Sequence, residues 1–334
     1  MTKDFIKKIA DIFGDQVFLD DSTTDYIPVG SVSLESAIGA GGLPRGRFSE
    51  IYGPEGSAKT SLALNFAKHN SVNLGGKTLY IDVENLLDYA SANAMAGHSF
   101  SRDELLILQP DTAEDAFTIA EEGIISGDFS YIVLDSVGAL APKKEKDDDF
   151  SDANVALVPR LLSKFLRRNA HQVKTNNVAF LFINQVRDTV GSYMSSYSTP
   201  GGHALKHYTS LIVSLTKGTP IKQGTDIIGT NIQFNIRKNK LNVPFRSYTI
   251  PLIFGKGIDT ARDLVNFAIT CGVVMQSGSS YKFNGESLGK GMNGVITNLN
   301  SNPALFKAIA DALKKDLTDI NGLDSPIEGD EIEQ

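Results

Sequence analysis

The run Ile51–Phe66, IYGPEGSAKTSLALNF, constrains the chain more than any other: an apolar strand enters a loop and leaves it as an apolar-striped helix. The pattern G-x-x-x-x-G-K-[ST] fits at Gly53, Lys59 and Thr60, with Ala58 where the pattern asks for glycine. In such a loop successive backbone N–H groups and the helix N-terminus surround phosphates, the lysine supplies a point charge and the hydroxyl helps to hold Mg²⁺. Gly53, Pro54, Glu55, Gly56, Ser57, Ala58, Lys59, Thr60 and Ser61 are therefore the candidate cradle. Residues before the lysine in loops of this shape adopt positive φ, which costs an L-residue about 1–2 kcal/mol. The sequence thus predicts a working but attenuated site, with Ala58 either strained or relaxing the loop.

Around this loop, strand and helix patterns alternate. Short apolar runs at Phe48–Tyr52, Leu79–Asp82, Leu105–Leu108, Tyr131–Asp135 and Val178–Asn184 are separated by helical patterns over 60–72, 111–125 and 155–170. Asp111 and Glu114 are spaced as a capping box for the second of these helices. The alternation predicts an α/β fold with a mainly parallel twisted sheet flanked by helices, extended by β segments at Ser210–Leu215 and Asn231–Arg237. Beyond Gly255 the pattern becomes a helix at 260–270, a hairpin turning at Asn284-Gly285 and a helix at 302–317, a small α+β C-terminal domain. An amphipathic helix over 3–13, with Phe5, Ile6, Ile9, Ile12 and Phe13 toward one side, precedes the core. The expected division is 1–25, helix and linker; 26–257, core; 258–317, small domain; 318–334, acidic disordered tail.

Charge distribution matters for the choice of partner. The net charge of −7 looks hostile to nucleic acid, but seven acidic residues and no basic ones lie from Asp316 onward. Subtracting them from the 39 acidic residues leaves 32, equal to the lysines and arginines, so the body is neutral. No apolar run approaches the ~18 residues of a membrane span. The opening residues are too polar for a signal peptide, and the expectation is a cytoplasmic protein with no membrane partner. Cys271 is the single cysteine, leaving no internal disulfide and pointing to core packing.

Further acids fall at strand ends, where open α/β sheets bind ligands. Asp135, closing YIVLD, is placed to support the water shell of Mg²⁺. Asp82 and Glu84 in YIDVEN follow another strand; Glu84 reads equally as a general base or a surface acid. Asn184 and Gln185 could sense phosphate or simply end their strand. After them, VRDTVGSYMSSYSTPGGHALKH is too polar for a core and interleaves Tyr193, Met194 and Tyr197 with Arg187, Lys206 and His207. That composition suits single-stranded nucleic acid, and equally a substrate lid or a disordered segment.

The segments SLESAIGAGGLPRGRFSEIYGPEGSAKT, IDVEN, VLDSVGALAPKKE, FLFINQVR, GGHALKHY and RKNKLNVPF follow one another in the order and spacing of the RecA family of bacterial strand-exchange recombinases. The chain resembles that family from residue 3 to 317, and its acidic tail is similar too. The resemblance implies ATP and Mg²⁺ as cofactors. Lys59 and Thr60 match the phosphate loop, Glu84 the catalytic glutamate, Asp135 and Ser136 the second nucleotide motif, and Gln185 the glutamine linking γ-phosphate to a DNA loop. Lys238 and Lys240 match lysines that reach ATP on the adjacent subunit. Asp88 matches an adenine contact, and Phe254 the aromatic beside the base.

The implied DNA contacts are Arg160 and Arg167 after a first loop at 142–158, and Arg187, Val190, Gly191, Tyr193, Met194, Gly201, Gly202 and Lys206 in or beside a second at 186–206. The implied activity is that of a DNA-dependent ATPase which forms a homo-oligomeric helical filament on single-stranded DNA and exchanges it with double-stranded DNA. Single-strand-binding and mediator proteins are implied as accessory partners. A helicase-like motor of the same fold and a weakly hydrolysing scaffold filament are the alternatives. Ala58, His207 in place of an aromatic, and the acidic run Asp147–Asp149 mark a divergent member, of a kind a phage could encode.

Overall fold

The computed structural model describes residues 2–13, 24–39, 41–147, 157–186, 200 and 202–321. Helix α1 (Thr2–Phe13) leads the chain and keeps Phe5, Ile6 and Ile12 exposed, so its apolar side is not buried among the described residues. Strand β1 (Tyr26–Ile27), helix α2 (Val32–Ile38) and strand β2 (Leu43–Pro44) lead into β3 (Arg47–Gly53). Ser31 caps α2, its Oγ accepting from Leu34 N at 3.2 Å.

The alternating region follows as α3 (Lys59–Leu74), β4 (Thr78–Asp82), α4 (Tyr89–Ala96), β5 (Leu105–Leu108), α5 (Ala113–Ser126) and β6 (Tyr131–Asp135). A short α6 (Lys143–Asp147), α7 (Leu157–Thr175), β7 (Ala179–Gln185) and α8 (Gly202–Tyr208) come next, then β8 (Thr209–Gln223), β9 (Asp226–Asn239), β10 (Ser247–Ile253) and β11 (Gly257–Ile258). One nine-stranded sheet results, ordered β11-β10-β9-β8-β3-β7-β6-β4-β5. From β8 to β5 every pairing is parallel, while β9, β10 and β11 add antiparallel.

Both faces of the central strands β4, β6 and β7 are covered, which explains why these read as largely continuous apolar runs. Against α3 lie Ile51, Tyr80, Val133 and Ile183; on the opposite face Phe48, Phe180 and Phe182 meet Phe117 of α5 and Phe165 of α7. Consequently the carboxyl ends of β3, β4, β6 and β7 open at one edge, carrying Gly53, Asp82, Asp135 and Gln185.

The structure corrects several sequence expectations. The helix start expected at Asp111 and Glu114 moves by one residue: Thr112 is the cap, its Oγ1 accepting from Asp115 N at 3.2 Å. A tertiary bond decides this, because Ala113 N is taken by Ala141 O at 2.8 Å, and Glu114 Oε2 instead accepts from Lys143 N. In the C-terminal part α9 (Thr260–Thr270) is where expected, and the Asn284-Gly285 turn has the positive φ values 50° and 83° that such a turn requires. The hairpin, however, is a three-stranded meander of β12 (Met275–Ser277), β13 (Ser280–Phe283) and β14 (Glu286–Lys290). The terminal helix expected at 302–317 is α11 (Pro303–Asn321), and an unexpected helix, α10 (Gly291–Ser301), precedes it. Burial of Val295 and Leu299 holds α10 in place despite its glycines and asparagines. Cys271 packs against the same core, and among the described residues no helix is long and apolar enough to cross a membrane.

Candidate nucleotide site and nucleic-acid surface

The phosphate loop is built by steric necessity at its entrance. A Cβ on Gly53 would lie 2.3 Å from Leu215 O and 2.6 Å from Ser57 Oγ, so only glycine lets β3 turn there. The turn closes through Ser57, whose N–H and Oγ both donate to Pro54 O. Gly56 has φ 71°, and Ala58, the N-cap of α3, has φ 62° and ψ 30°. Of the two outcomes expected for Ala58, the structure has the strained one. Its methyl is not idle: it packs on the apolar core and borders a cavity of about 10 Å³ lined also by Leu62, Ile232, Ile250, Leu252 and Ile258. Lys59 Nζ donates to Gly53 O at 3.0 Å and Pro54 O at 2.9 Å, and burial lowers its pKa against the opposing pull of Asp135, Glu84 and Glu55.

Asp135 ends β6 beside the start of α3. Its Oδ2 accepts from Thr60 Oγ1 at 2.8 Å and from the Tyr80 hydroxyl at 2.6 Å. Burial pushes the Asp135 carboxyl up to about 6, against the lowering effect of those two donors. One hydroxyl and one carboxylate suit Mg²⁺, which keeps waters and phosphate oxygens in its shell, and the described residues hold no cluster of three ligating side chains that would bind a metal by themselves.

Glu84, past β4, is drawn to the same edge. Its Oε1 accepts from Ser136 Oγ at 2.6 Å and Gln185 Nε2 at 2.8 Å, and neither bond uses Oε2. Residues from three different strand ends are thereby joined. Asp82 serves otherwise: its Oδ2 accepts from Leu87 N and Gln109 Nε2, both at 2.9 Å, which holds the loop carrying Glu84. Asp88 is exposed and caps α4, accepting from Ser91 N at 2.7 Å; Phe254, just past β10, is exposed. Their two elements touch, for a Cβ on Gly97 would lie 2.1 Å from Lys256 O.

Lys238 and Lys240 sit elsewhere. Lys238 lies opposite Ile212, and Lys240 N bonds to Ser210 O, level with the opening of β3. Gly53 closes the same strand, about 10 Å along it from the level of Lys238, which falls at Glu50, and about 15 Å from that of Lys240, with β8 also lying between. Lys238 Nζ donates to Lys206 O and Lys240 Nζ to His207 O, and burial, then repulsion from Lys240, lowers the Lys238 pKa.

Arg160 and Arg167 are exposed on α7, seven residues apart and so on one face, with the exposed Lys164 between them. Gly202 opens α8, and Lys206 is exposed on it. Arg187, Val190, Gly191, Tyr193, Met194 and Gly201 lie outside the described residues, as do Asp148 and Asp149 and most of the first loop. Asn184 ties the two flanks of that second segment, Nδ2 donating to Pro200 O at 2.8 Å and to the buried Glu50 at 3.0 Å.

Sequence reasoning missed Glu50 and Tyr80. The signal was available in both cases: a charged or hydroxyl-bearing side chain inside an otherwise apolar strand must find a buried partner.

The chain matches the family model described as RecA N-terminal domain over residues 2–259 and that described as RecA C-terminal domain over 262–318. It is 39% identical over 291 residues to Protein RecA of Heliobacterium modesticaldum, covering 87% of this chain and 83% of that protein. To Protein RecA of Thermus aquaticus it is 40% identical over 287 residues, covering 85% and 83%. To Protein RecA of Lactobacillus johnsonii it is 35% identical over 314 residues, covering 94% and 85%.

Proposed function

The chain belongs to the RecA family of ATP-dependent recombinases, and from that premise we propose that it assembles on single-stranded DNA as a homo-oligomeric filament and exchanges that strand with a homologous duplex. The observation that carries the reading is the junction of Glu84, Ser136 and Gln185 beside the Thr60–Asp135 pair, at the edge where the phosphate loop opens. It supports ATP hydrolysis coupled to a neighbouring DNA-binding segment.

In this reading Lys59 leaves its carbonyl partners for the β- and γ-phosphates, and the loop N–H groups from Gly56 to Thr60 hold the same oxygens. Thr60 and Asp135 hold Mg²⁺, which when bound neutralises charge on the phosphates. Glu84 takes the proton of the attacking water through the oxygen that Ser136 and Gln185 leave unused. Gln185 reports the state of the phosphate end to the segment that follows it. Asp88 and Phe254 flank the base. Lys238 and Lys240, too far from their own loop, complete the site of the next subunit. Arg160, Arg167 and Lys206, with Arg187, Val190, Gly191, Tyr193, Met194, Gly201 and Gly202, contact DNA. The exposed apolar side of α1 docks on a neighbouring protomer.

A helicase-like motor is not favoured, because the C-terminal domain match extends the likeness beyond the nucleotide motifs. Steady-state ATP turnover with and without single-stranded DNA tests the proposal. Turnover stimulated by DNA, and lost in Glu84→Gln with nucleotide binding retained, is expected; turnover indifferent to DNA would overturn the coupling, and turnover scarcely above background would leave a scaffold.

A further inference from the structure

We propose that Tyr80 is a positioning residue for the magnesium-bearing edge of the site, acting through Asp135; this rests on the nucleotide reading above. Tyr80 lies in β4 opposite Val133 of β6 and is fully buried in the core beneath α3. Its ring packs as any core aromatic would. Its hydroxyl, however, reaches the last residue of the neighbouring strand and donates to Asp135 Oδ2 at 2.6 Å, the length of a charge-assisted O–H···O⁻ bond.

The same oxygen accepts from Thr60 Oγ1 at 2.8 Å. A hydroxyl has one proton to give. Thr60 therefore spends its proton on Asp135 and keeps its lone pairs for a cation, provided that the carboxylate stays turned with Oδ2 toward it. Tyr80 supplies the second fixed donor to Oδ2, so two bonds from different elements, α3 and β4, set the carboxylate's rotation and leave Oδ1 to the metal's water shell.

A second buried tyrosine shows that this geometry is not forced on every such residue. Tyr131, also fully buried and on the strand that carries Asp135, gives its hydroxyl to the Ala63 carbonyl at 3.3 Å, an ordinary backbone partner. Replacing that bond would loosen the packing of α3 on β6. Removing the Tyr80 hydroxyl would leave the carboxylate of Asp135 with Thr60 as its one side-chain donor among the described residues.

The test is Tyr80→Phe, which deletes one oxygen and leaves the ring. Binding of a fluorescent N-methylanthraniloyl ADP is titrated with Mg²⁺ for wild type and variant, alongside binding in EDTA and the melting temperature in metal-free buffer. The expected result is a rise of about tenfold in the Mg²⁺ needed for half-maximal binding, with binding in EDTA unchanged. An unchanged Mg²⁺ requirement, whether or not the melting temperature falls, would overturn the proposal and leave Tyr80 a packing residue. Should the Phe variant not fold, Tyr80→Met, which also lacks the hydroxyl, is read by the same titration. Failure of wild type to bind the nucleotide in a Mg²⁺-dependent way would instead reject the underlying nucleotide reading.

Discussion

Gln185 Nε2 donates to Glu84 Oε1 at 2.8 Å, joining the exit of β7 to the acid that follows β4. Gln185 closes β7, where the chain leaves the sheet toward the candidate DNA segment, and under the proposed function this bond is what couples that segment to the phosphate end. Gln185→Ala is expected to keep nucleotide affinity and basal turnover while losing stimulation by single-stranded DNA. Equal stimulation in both proteins would remove Gln185 from the coupling. Glu84→Gln should lower turnover itself by roughly 10²- to 10⁴-fold.

Ala58 offers a second test. Its positive φ costs about 1–2 kcal/mol, while the methyl packed on the core returns about 0.8 kcal/mol. The residual strain is small. Ala58→Gly should tighten ATP binding a few-fold, and by no more than about eightfold, measured at fixed salt and Mg²⁺. Weaker binding by the glycine variant would mean that the apolar pocket, rather than the strain, governs this position.

Much of this site was legible because phosphate loops and strand-end acids are local patterns. Gly53, Lys59, Thr60 and Asp135 announce themselves through what immediately flanks them, and β4, β6 and β7 are largely apolar runs buried on both faces. Other features depend on partners remote in sequence. The start of α5 is set by Ala141, the bond of Glu84 to Gln185 spans 101 residues, and the hydroxyl of Tyr80 matters only because β4 lies beside β6. Helix α10 was hidden for a different reason: its glycines and asparagines oppose helix, and burial of Val295 and Leu299 outweighs them.

Asp263 should make stability depend on pH. It is fully buried on α9, accepting from Ser33 Oγ at 2.6 Å and Ser33 N at 3.1 Å, so it fastens α2 to the C-terminal part. Burial pushes its carboxyl up to about 6. Because the native pKa exceeds that of the unfolded chain, the native state holds the proton longer. This contribution is full below pH ~4 and is lost as pH rises through ~6, a change of order 3 kcal/mol. Urea unfolding across pH 4–7 should show a smaller fall in Asp263→Asn than in wild type; parallel curves would contradict the assignment.

Lys238→Ala/Lys240→Ala should bind nucleotide as a monomer yet fail to hydrolyse it under DNA stimulation. Mixing these subunits with Glu84→Ala subunits should restore part of the turnover, because each defect lies on a different side of a shared site. No recovery at any ratio would argue that the lysines act within their own chain.

The central claim is that ATP bound at this edge drives homologous strand exchange. The most direct measurement pairs one single-stranded DNA with a homologous or a heterologous duplex, with ATP and Mg²⁺, for wild type and Lys59→Ala. The account predicts exchanged product only from wild type, only with ATP and only with the homologous duplex. Equal product from both duplexes, or product from Lys59→Ala, would contradict it.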